Sequence, residues 1–335
     1  YTIGGGLTLS TLRGLKRNIL MITLAEGSCA WLFVLAIVTF IAPLALPSVS
    51  LDFKSYLAMG IVIGAISLAT APAVTVAIIE ETKVRGPLPT TLLGVIALDN
   101  ALAIIFFAIS IGIAATLLGV GESISGVATL ISELSSIGGS IVLGFISALV
   151  TLLLARFTNN RREILVVVLG TVILSGELAE QLHIFPLITC MTMGFVVANL
   201  EKAPYIQVEV VRDVQGVFYV LFFTLAGAYV DLGMVQSAGL LAGLVVLGRD
   251  GGKFIGAWIG ATLSGAPDVV RKYLGFTLMP KAGVTVGLAM LVMETPELQS
   301  IASLVVSSVL VSTLINELFT PPLSKFALHR AGEAG

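Results

Sequence analysis

Charged residues are scarce in this chain. Only 11% of its 335 residues are Asp, Glu, Lys or Arg, whereas 57% are hydrophobic. Soluble domains carry roughly 25% charged and about 45–50% apolar residues. A soluble fold of this length could not bury so much apolar surface, so the composition excludes a soluble enzyme or binding domain.

Cysteine and histidine are equally rare, with two residues of each type. Cys29 and Cys190 both lie inside apolar segments, where they offer neither a disulfide framework nor a zinc-binding spacing. The net charge of −2 comes without any basic cluster, which argues against nucleic acid as a partner. We therefore expect no resident cofactor and no nucleic-acid partner.

Apolar runs of about 20 residues, the length that crosses the hydrocarbon core of a bilayer, fill the sequence instead. They predict ten membrane spans, near residues 19–45, 57–79, 89–118, 138–156, 164–182, 185–200, 215–232, 238–263, 274–293 and 301–320. The Gly/Ser-rich stretch 119–137 is expected to hold re-entrant or interfacial structure. The sequence opens on Tyr1 without an initiator methionine, so we expect it to begin inside a truncated helix. The predicted fold class is an all-α polytopic membrane protein in contact with the lipid bilayer.

Positive charge predicts the orientation of these spans, because cytoplasmic loops carry an excess of Lys and Arg. With ten spans, 14 of the 18 basic residues fall in alternate loops and the C-terminal tail, while only Lys54 falls in the opposite loops. The remaining three, Arg249, Lys253 and Lys281, lie inside predicted spans. The C-terminus is therefore predicted to be cytoplasmic.

Ionisable residues inside the spans are the first functional signal, because a charge at the bilayer centre costs a few kcal/mol or more. The candidates are Glu26, Asp99, Glu177, Arg249, Asp250, Lys253, Lys281 and Glu317. Glu177 and Glu317 lie towards span ends, where they can reach the interface. The alternative reading is structural pairing between helices, which stays open above all for Arg249 and Asp250.

Two interrupted helices are the second signal. Pro72 lies near the middle of the second span and Pro280 near the start of the ninth, and each proline removes a backbone donor. In hydrocarbon such breaks persist only where the freed backbone is buried or lines a cavity. Paired breaks in matching places of two halves, each beside a charged helix, predict a substrate site at the midplane of an inverted repeat.

Several motifs resemble those of the bacterial monovalent cation:proton antiporters. The segments Ala69–Val74, Gly86–Pro87 and Ala97–Leu102 are similar to the core of that superfamily. Gly248–Gly256 resembles its lysine-bearing helix, Tyr273–Val284 its second broken helix, and Phe326–Glu333 its tail. The resemblance covers essentially the whole chain, with the first two or three spans of the family missing.

This resemblance implies an inverted-repeat antiporter fold with two crossed discontinuous helices, organised as a mobile core and a dimerisation domain. Residues 19–118 and 238–320 would form the two halves of the core, or transport, domain. Residues 119–237 would form the dimerisation and linker spans, 1–18 a truncated helix with a cytoplasmic loop, and 321–335 a cytoplasmic tail. The expected assembly is a homodimer in the plasma (inner) membrane of a bacterium or archaeon.

The resemblance also assigns a cation and proton site. Asp99 matches the first carboxylate of the family's paired aspartates, and Lys253 matches the lysine that salt-bridges it. Thr70, the carbonyl groups around Ala71 and the Asn100 amide would complete an oxygen shell for the transported ion, with Glu26 nearby. Arg249 and Asp250 are candidate charge partners.

Asn100 is the departure that matters, because the family's second aspartate directly holds the cation and an amide cannot take up a proton. Either Asp99 has inherited the exchange role, or Asp250 or Glu26 supplies the missing charge, or the chain is a transport-inactive or proton-locked variant. Lys281, near the second break, is a further departure.

The expected function is exchange of Na⁺, or alternatively K⁺, for protons by alternating access. A transporter-like regulatory or sensor subunit and a cation channel stay open as alternatives, although no filter-like repeat is visible. A membrane aspartyl protease using Asp99 and Asp250 is disfavoured, because each has a candidate cationic neighbour, which opposes the shared proton that such a dyad needs. We expect no enzymatic activity.

Overall fold

The computed structural model describes residues 1–5, 17–46, 51–71, 75, 78–79, 84, 86–119, 126–158, 160–200, 206–228, 235–281 and 283–331. Within these ranges the regular structure is entirely helical. In chain order the main helices are α1 (Thr2–Gly5), α2 (Arg17–Ala36), α3 (Phe53–Ile66), α4 (Pro87–Leu118), α5 (Gly126–Ala155), α6 (Arg161–Gln181), α7 (Pro186–Leu200), α8 (Ile206–Ala228), α9 (Val235–Leu263), α10 (Asp268–Thr277), α11 (Gly283–Glu294) and α12 (Gln299–Arg330). A π-helical turn at Ile37–Ile41 and a short helix at Ala42–Ala45 extend α2, and a 3₁₀ turn at Pro296–Leu298 precedes α12.

Four stretches of helix in the described residues are long and apolar enough to cross a bilayer, at Arg17–Ala45, Pro87–Leu118, Ser135–Ala155 and Pro296–Arg330. Shorter apolar helices occupy Phe53–Ile66, Pro186–Leu200 and Gly283–Glu294. The expectation of an all-α polytopic membrane protein is confirmed, and the chain is an integral membrane protein. The count of ten spans stays a prediction.

Helix ends follow local sequence signals. Asp52 caps α3, because its side chain accepts a hydrogen bond of 3.1 Å from the backbone N–H of Ser55. Gly119 ends α4 and Gly265 follows α9, both with φ at +69°, a left-handed backbone that favours glycine. Pro267 then stands directly before α10, and α9 and α10 are thereby separated.

The second predicted break is present between α10 and α11. Helix α10 ends at Thr277, Leu278–Lys281 is not helical, and α11 begins at Gly283, because Pro280 has no N–H to donate to the preceding turn. The first break follows α3, where the helix ends at Ile66 and residues 69–71 are non-helical. Pro72, which the sequence analysis held responsible, lies outside the described residues, as does Ala282.

The chain divides into two compact units. One comprises residues 1–14 and 124–222, the other residues 15–123 and 223–335. In the first unit, α1 packs closely on α7: a Cβ added at Gly194 would meet the backbone oxygen of Tyr1 at 2.0 Å. The roles of transport and dimerisation domains, assigned above to similar ranges, stay predictions.

The second unit contains the charged residues discussed above as site candidates, except Glu177, which lies on α6 in the first unit. Its apolar core joins residues from α2, α4, α9, α10 and α12, namely Ile19, Ile22, Leu88, Leu92, Val95, Ile96, Ala257, Ala261, Val270, Leu274 and Leu328. The hydrophobic effect makes little contribution between helices in lipid, so close van der Waals packing of this kind stabilises their association.

Two stretches outside the predicted spans contain helix. Helix α5 begins at Gly126, inside the stretch 119–137, and the re-entrant or interfacial character expected of that stretch stays a prediction. Helix α12 continues to Arg330 through the predicted tail. Packing of Ala327 and Leu328, both buried, offsets the hydrogen bonds that Pro321 and Pro322 cannot donate.

Candidate functional site

Lys253 lies at the centre of a buried charge cluster in the second unit. Its ammonium nitrogen donates a hydrogen bond of 2.8 Å to Glu26 Oε2 on α2 and one of 2.7 Å to Asp99 Oδ2 on α4. All three side chains are fully buried. One lysine therefore serves two carboxylates, and the cluster carries a formal net charge of −1.

The first break adds polar groups to this cluster. The Thr70 hydroxyl donates to Asp99 Oδ2 at 2.5 Å. The Asn100 amide nitrogen donates to the Thr70 carbonyl at 3.0 Å and to the Ile96 carbonyl at 3.3 Å. Asn100 therefore acts as a donor to two backbone carbonyls, a role that an ionised aspartate could not perform.

Three oxygen atoms of the cluster have no hydrogen-bond partner within the described part of the chain. They are Glu26 Oε1, Asp99 Oδ1 and the amide oxygen of Asn100, all buried. A buried polar atom without a partner costs about 1–3 kcal/mol, more when it is charged. The two carboxylate oxygens are suited to accept a proton, and all three oxygens are suited to coordinate a cation.

A row of glycines on α9 brings Glu26 to Lys253. Cβ atoms added at Gly252, Gly256 and Gly260 would lie 2.6, 2.5 and 2.6 Å from Cα atoms of α2. Only residues without a side chain allow two helix backbones to approach this closely. Sequence reasoning missed this feature, although glycine at every fourth position from Gly248 to Gly260 was a visible signal.

Arg249 forms a second buried cluster one helical turn away on α9. Its guanidinium donates to the carbonyls of Ser67 (3.0 Å) and Ala69 (2.8 Å) at the first break, and to that of Met279 (2.5 Å) at the second. It also forms an ion pair of 2.9 Å with Asp250. The arginine therefore contacts both interrupted helices.

Helix α12 completes this second cluster with two residues that the sequence analysis did not single out. The Asn316 amide donates to Asp250 Oδ1 at 3.0 Å and to the Met279 carbonyl at 3.1 Å. Buried Lys281, just after Pro280, donates to the Ser312 hydroxyl at 2.8 Å. Asn316 and Ser312 carry no charge and belong to no motif, so the sequence offered no signal for them.

The two breaks are joined directly. The Ala71 N–H donates to the Pro280 carbonyl at 3.0 Å, and the Thr70 hydroxyl lies 3.4 Å from the Leu278 carbonyl. The Ala71 carbonyl, a predicted ligand, accepts a hydrogen bond from the Thr75 hydroxyl at 3.0 Å.

The structure thus sorts seven of the eight predicted site residues into two groups. Glu26, Thr70, Asp99, Asn100 and Lys253 form the first cluster, and Arg249 and Asp250 form the second. Ala71 joins the two breaks through its backbone. The roles of these residues in ion binding stay predictions.

Comparison with known proteins supplies a family. The profile of the family described as "Sodium/hydrogen exchanger, transmembrane" matches residues 5–326. A Na⁺/H⁺ antiporter, NhaP of Pseudomonas aeruginosa, is 26% identical over 285 residues, which cover 78% of this chain. That alignment spans 64% of the relative's length, less than two thirds of it.

Solved structures of similar fold include that of the sodium proton antiporter MjNhaP1 from Methanocaldococcus jannaschii at pH 8. It matches with a TM-score of 0.74 and 20% identity over 99% of this chain and 83% of the other. An electron-microscopy structure of the same antiporter matches with a TM-score of 0.69 and 18% identity, over 98% of this chain and 82% of the other. At these identities the likeness shows a shared fold.

Proposed function

This chain is a member of the sodium/hydrogen exchanger family, and we propose that it is a secondary active transporter that exchanges a monovalent cation for protons by alternating access. The observation that carries the proposal is the pair of buried carboxylates on one lysine, together with oxygens that have no hydrogen-bond partner among the described residues. Na⁺ is the proposed cation and K⁺ the alternative, since both bind to oxygen ligands.

Charge balance supports exchange at this cluster. With both carboxylates ionised, Glu26 and Asp99 place two negative charges against the single positive charge of Lys253, and all three side chains are buried. An unbalanced charge in a low-dielectric site is costly, so the cluster favours uptake of one positive charge. A proton on a carboxylate and a bound monovalent cation satisfy the same demand, and each therefore excludes the other.

The oxygens available to a cation come from three different segments. Glu26 Oε1 belongs to α2, whereas Asp99 Oδ1 and the Asn100 amide oxygen belong to α4. The Thr70 hydroxyl adds an oxygen from the first break, because it contacts Asp99 Oδ2. In transporters, coupling ions bind near the bilayer midplane at interrupted helices, which supply oxygen ligands.

Glu26 is the residue we propose in place of the family's second aspartate. It contacts Lys253 at 2.8 Å, as Asp99 does, whereas Asp250 is already paired with Arg249 and Asn316 in the other cluster. Asp99 and Glu26 then share the exchange role, and Lys253 holds both while the site is free of cation. A cation that enters the site then replaces Lys253 as the partner of Asp99.

We further propose that the chain functions as a homodimer through residues 119–237, in the plasma membrane of a bacterium or archaeon with its C-terminus in the cytoplasm. Alternating access would then come from movement of residues 19–118 and 238–320, the two halves of the proposed core. This assignment follows the charge distribution of the loops and the family resemblance.

The test is proton movement in proteoliposomes that contain the full-length protein and an entrapped pH-sensitive dye. Imposed gradients of Na⁺, K⁺ and Li⁺ would be compared for the wild type, Glu26→Gln and Asn100→Asp, with exposed Lys54→Gln as the matched control. We expect Na⁺-driven proton movement by the wild type and by Lys54→Gln, and its loss in Glu26→Gln.

Each of the other outcomes would indicate a different function for this chain. Full exchange in Glu26→Gln would remove that residue from the mechanism. If the wild type shows no exchange but Asn100→Asp does, the natural chain is a transport-inactive antiporter. A role as a regulatory or sensor subunit would then be favoured. Cation flux without proton movement would indicate a channel.

A further inference from the structure

Arg249 is a fully buried arginine that lies outside the carboxylate cluster and yet contacts both interrupted helices. Its Nε donates to the Ser67 carbonyl, Nη2 to the Ala69 carbonyl, and Nη1 to both the Met279 carbonyl and Asp250. Four donor contacts with fixed directions come from one planar group. The proposed exchange of ions uses none of them directly.

The carbonyls that Arg249 contacts lie at or just beyond the C-terminal ends of two helices. Helix α3 ends at Ile66, just before Ser67, and α10 ends at Thr277, just before Leu278 and Met279. The final carbonyls of a helix have no partner within it and carry partial negative charge, which a cation stabilises. A guanidinium fork can contact several of them at once, whereas a lysine ammonium acts as a point charge.

Two of the three anchored carbonyls, those of Ala69 and Met279, are one residue away from an atom of the exchange site. Ala69 directly precedes Thr70, whose hydroxyl contacts Asp99 and whose carbonyl accepts from Asn100. Met279 directly follows Leu278, whose carbonyl lies 3.4 Å from the Thr70 hydroxyl. A displacement of Ala69 or Met279 therefore displaces the oxygen of Thr70 relative to Asp99.

We propose that Arg249 is a positioning residue for the cation: it fixes the two breaks against each other and so fixes the oxygen shell that the cation enters. The inference rests on the proposed exchange function and adds a residue that touches neither carboxylate of the site. Asn316 assists, because it donates to the same Met279 carbonyl and holds Asp250 against the guanidinium. Arg249 therefore supplies hydrogen-bond donors with fixed directions in addition to its charge.

The first experiment measures Na⁺-driven exchange by Arg249→Lys in proteoliposomes. The substitution keeps the charge but loses the fork. We expect the apparent KM for Na⁺ to rise about tenfold, the size of one lost charge-assisted hydrogen bond, with a much smaller change in the maximum rate. Arg161→Lys is the matched control, since Arg161 is exposed and pairs with Asp213 on the surface, and its KM should not change.

Asn316→Ala provides a second, milder perturbation that leaves Arg249 in place. It removes one of the two donors to the Met279 carbonyl, so we expect a smaller rise in the KM for Na⁺. An unchanged KM in Arg249→Lys would overturn the proposal, as would a fall in maximum rate at constant KM. If Arg249→Lys does not fold, an unchanged KM in Asn316→Ala would overturn it.

Hydrogen–deuterium exchange separates this inference from the proposed function. Amides of residues 67–71 and 278–281 should exchange faster in Arg249→Lys than in the wild type, with no change elsewhere in α9. Equal protection of these amides in the two proteins would overturn the positioning role of Arg249 even if transport is present. Faster amide exchange in Arg249→Lys, together with a wild type that transports nothing, would support the positioning role of Arg249 and remove the exchange function alone.

Discussion

Gly256 and Glu26 approach so closely that a Cβ added to the glycine would lie 2.5 Å from the Cα of the glutamate. Glu26 can contact Lys253 because nothing but hydrogen stands on Gly256. The charge cluster therefore depends on a glycine, which has no side chain that could bind an ion. Helix packing and ion binding are coupled at this one contact.

Gly256→Ala should separate α2 from α9 and weaken the contact between Glu26 and Lys253. Overpacking of this kind costs about 1–3 kcal/mol, and we expect a lower Tm in detergent together with weaker Na⁺ dependence of exchange. Gly251→Ala is the matched control, because a Cβ at Gly251 meets nothing within 4 Å. Equal Tm values for the two variants would contradict the packing argument.

Lys253→Gln should destabilise the protein because it leaves two buried carboxylates without a counter-charge. Removing one partner from a buried ion pair typically costs about 3–5 kcal/mol. The double variant Glu26→Gln/Lys253→Gln restores the net charge of −1 and should recover part of the lost Tm. If the Tm loss of the double variant equals the sum of the losses in the two single variants, the two side chains do not interact.

Thr70→Val should raise the apparent KM for Na⁺ because it removes the hydroxyl that donates to Asp99 while keeping the side-chain shape. A hydrogen bond to a charged group contributes about 1.5–3 kcal/mol, so an increase of tenfold or more is expected. Thr70→Ser keeps the hydroxyl and should remain near the wild-type KM. The same KM in Val and Ser variants would exclude the hydroxyl from the site.

Protons and Na⁺ should compete, since either one neutralises the single excess negative charge of the cluster. In proteoliposomes with equal pH on both sides, the apparent KM for Na⁺ should rise as pH falls, while the maximum rate at saturating Na⁺ stays constant. A KM that does not depend on pH would mean that proton and cation occupy separate sites.

Asp52 offers a pH-dependent contribution to stability outside the membrane. Hydrogen bonds from Ser55 lower the pKa of the Asp52 carboxyl below its ordinary value of 3.8. A group whose pKa is lower in the folded protein stabilises it above the ordinary pKa, and this contribution is lost as pH falls through the lowered value. Asp52→Asn keeps the cap without the titration, so its Tm should fall less in acid than that of the wild type. Parallel Tm curves for the two proteins would contradict this assignment.

The sequence predicted the parts of this site that carry charge or interrupt a helix. Pro280 and the apolar runs indicated the second break and the membrane fold, because both are local properties of the chain. The contacts of Arg249 with three carbonyls could not be predicted, since Ser67, Ala69 and Met279 are ordinary residues whose backbones meet it only in the folded protein. Asn316 was missed for the same reason.

Other differences come from packing that overrides local preference. Pro321 and Pro322 indicate the end of a helix, but α12 continues past them because buried residues beyond them pack on the core. The family resemblance placed Glu26 near the ion, and the glycines of α9 explain how it reaches Lys253.

The hydrogen bond between the Ala71 N–H and the Pro280 carbonyl limits how the ion can be released. A motion that pulled the two interrupted helices apart would strand one donor and one acceptor away from water, at a cost of about 2–7 kcal/mol for each group left unpaired. That cost would be added to the barrier in every transport cycle. Ion release costs less free energy when the two breaks move together and this hydrogen bond stays intact. Turnover is therefore expected to depend on the helices that move past the two breaks. Cross-linking the two breaks to each other should not stop transport.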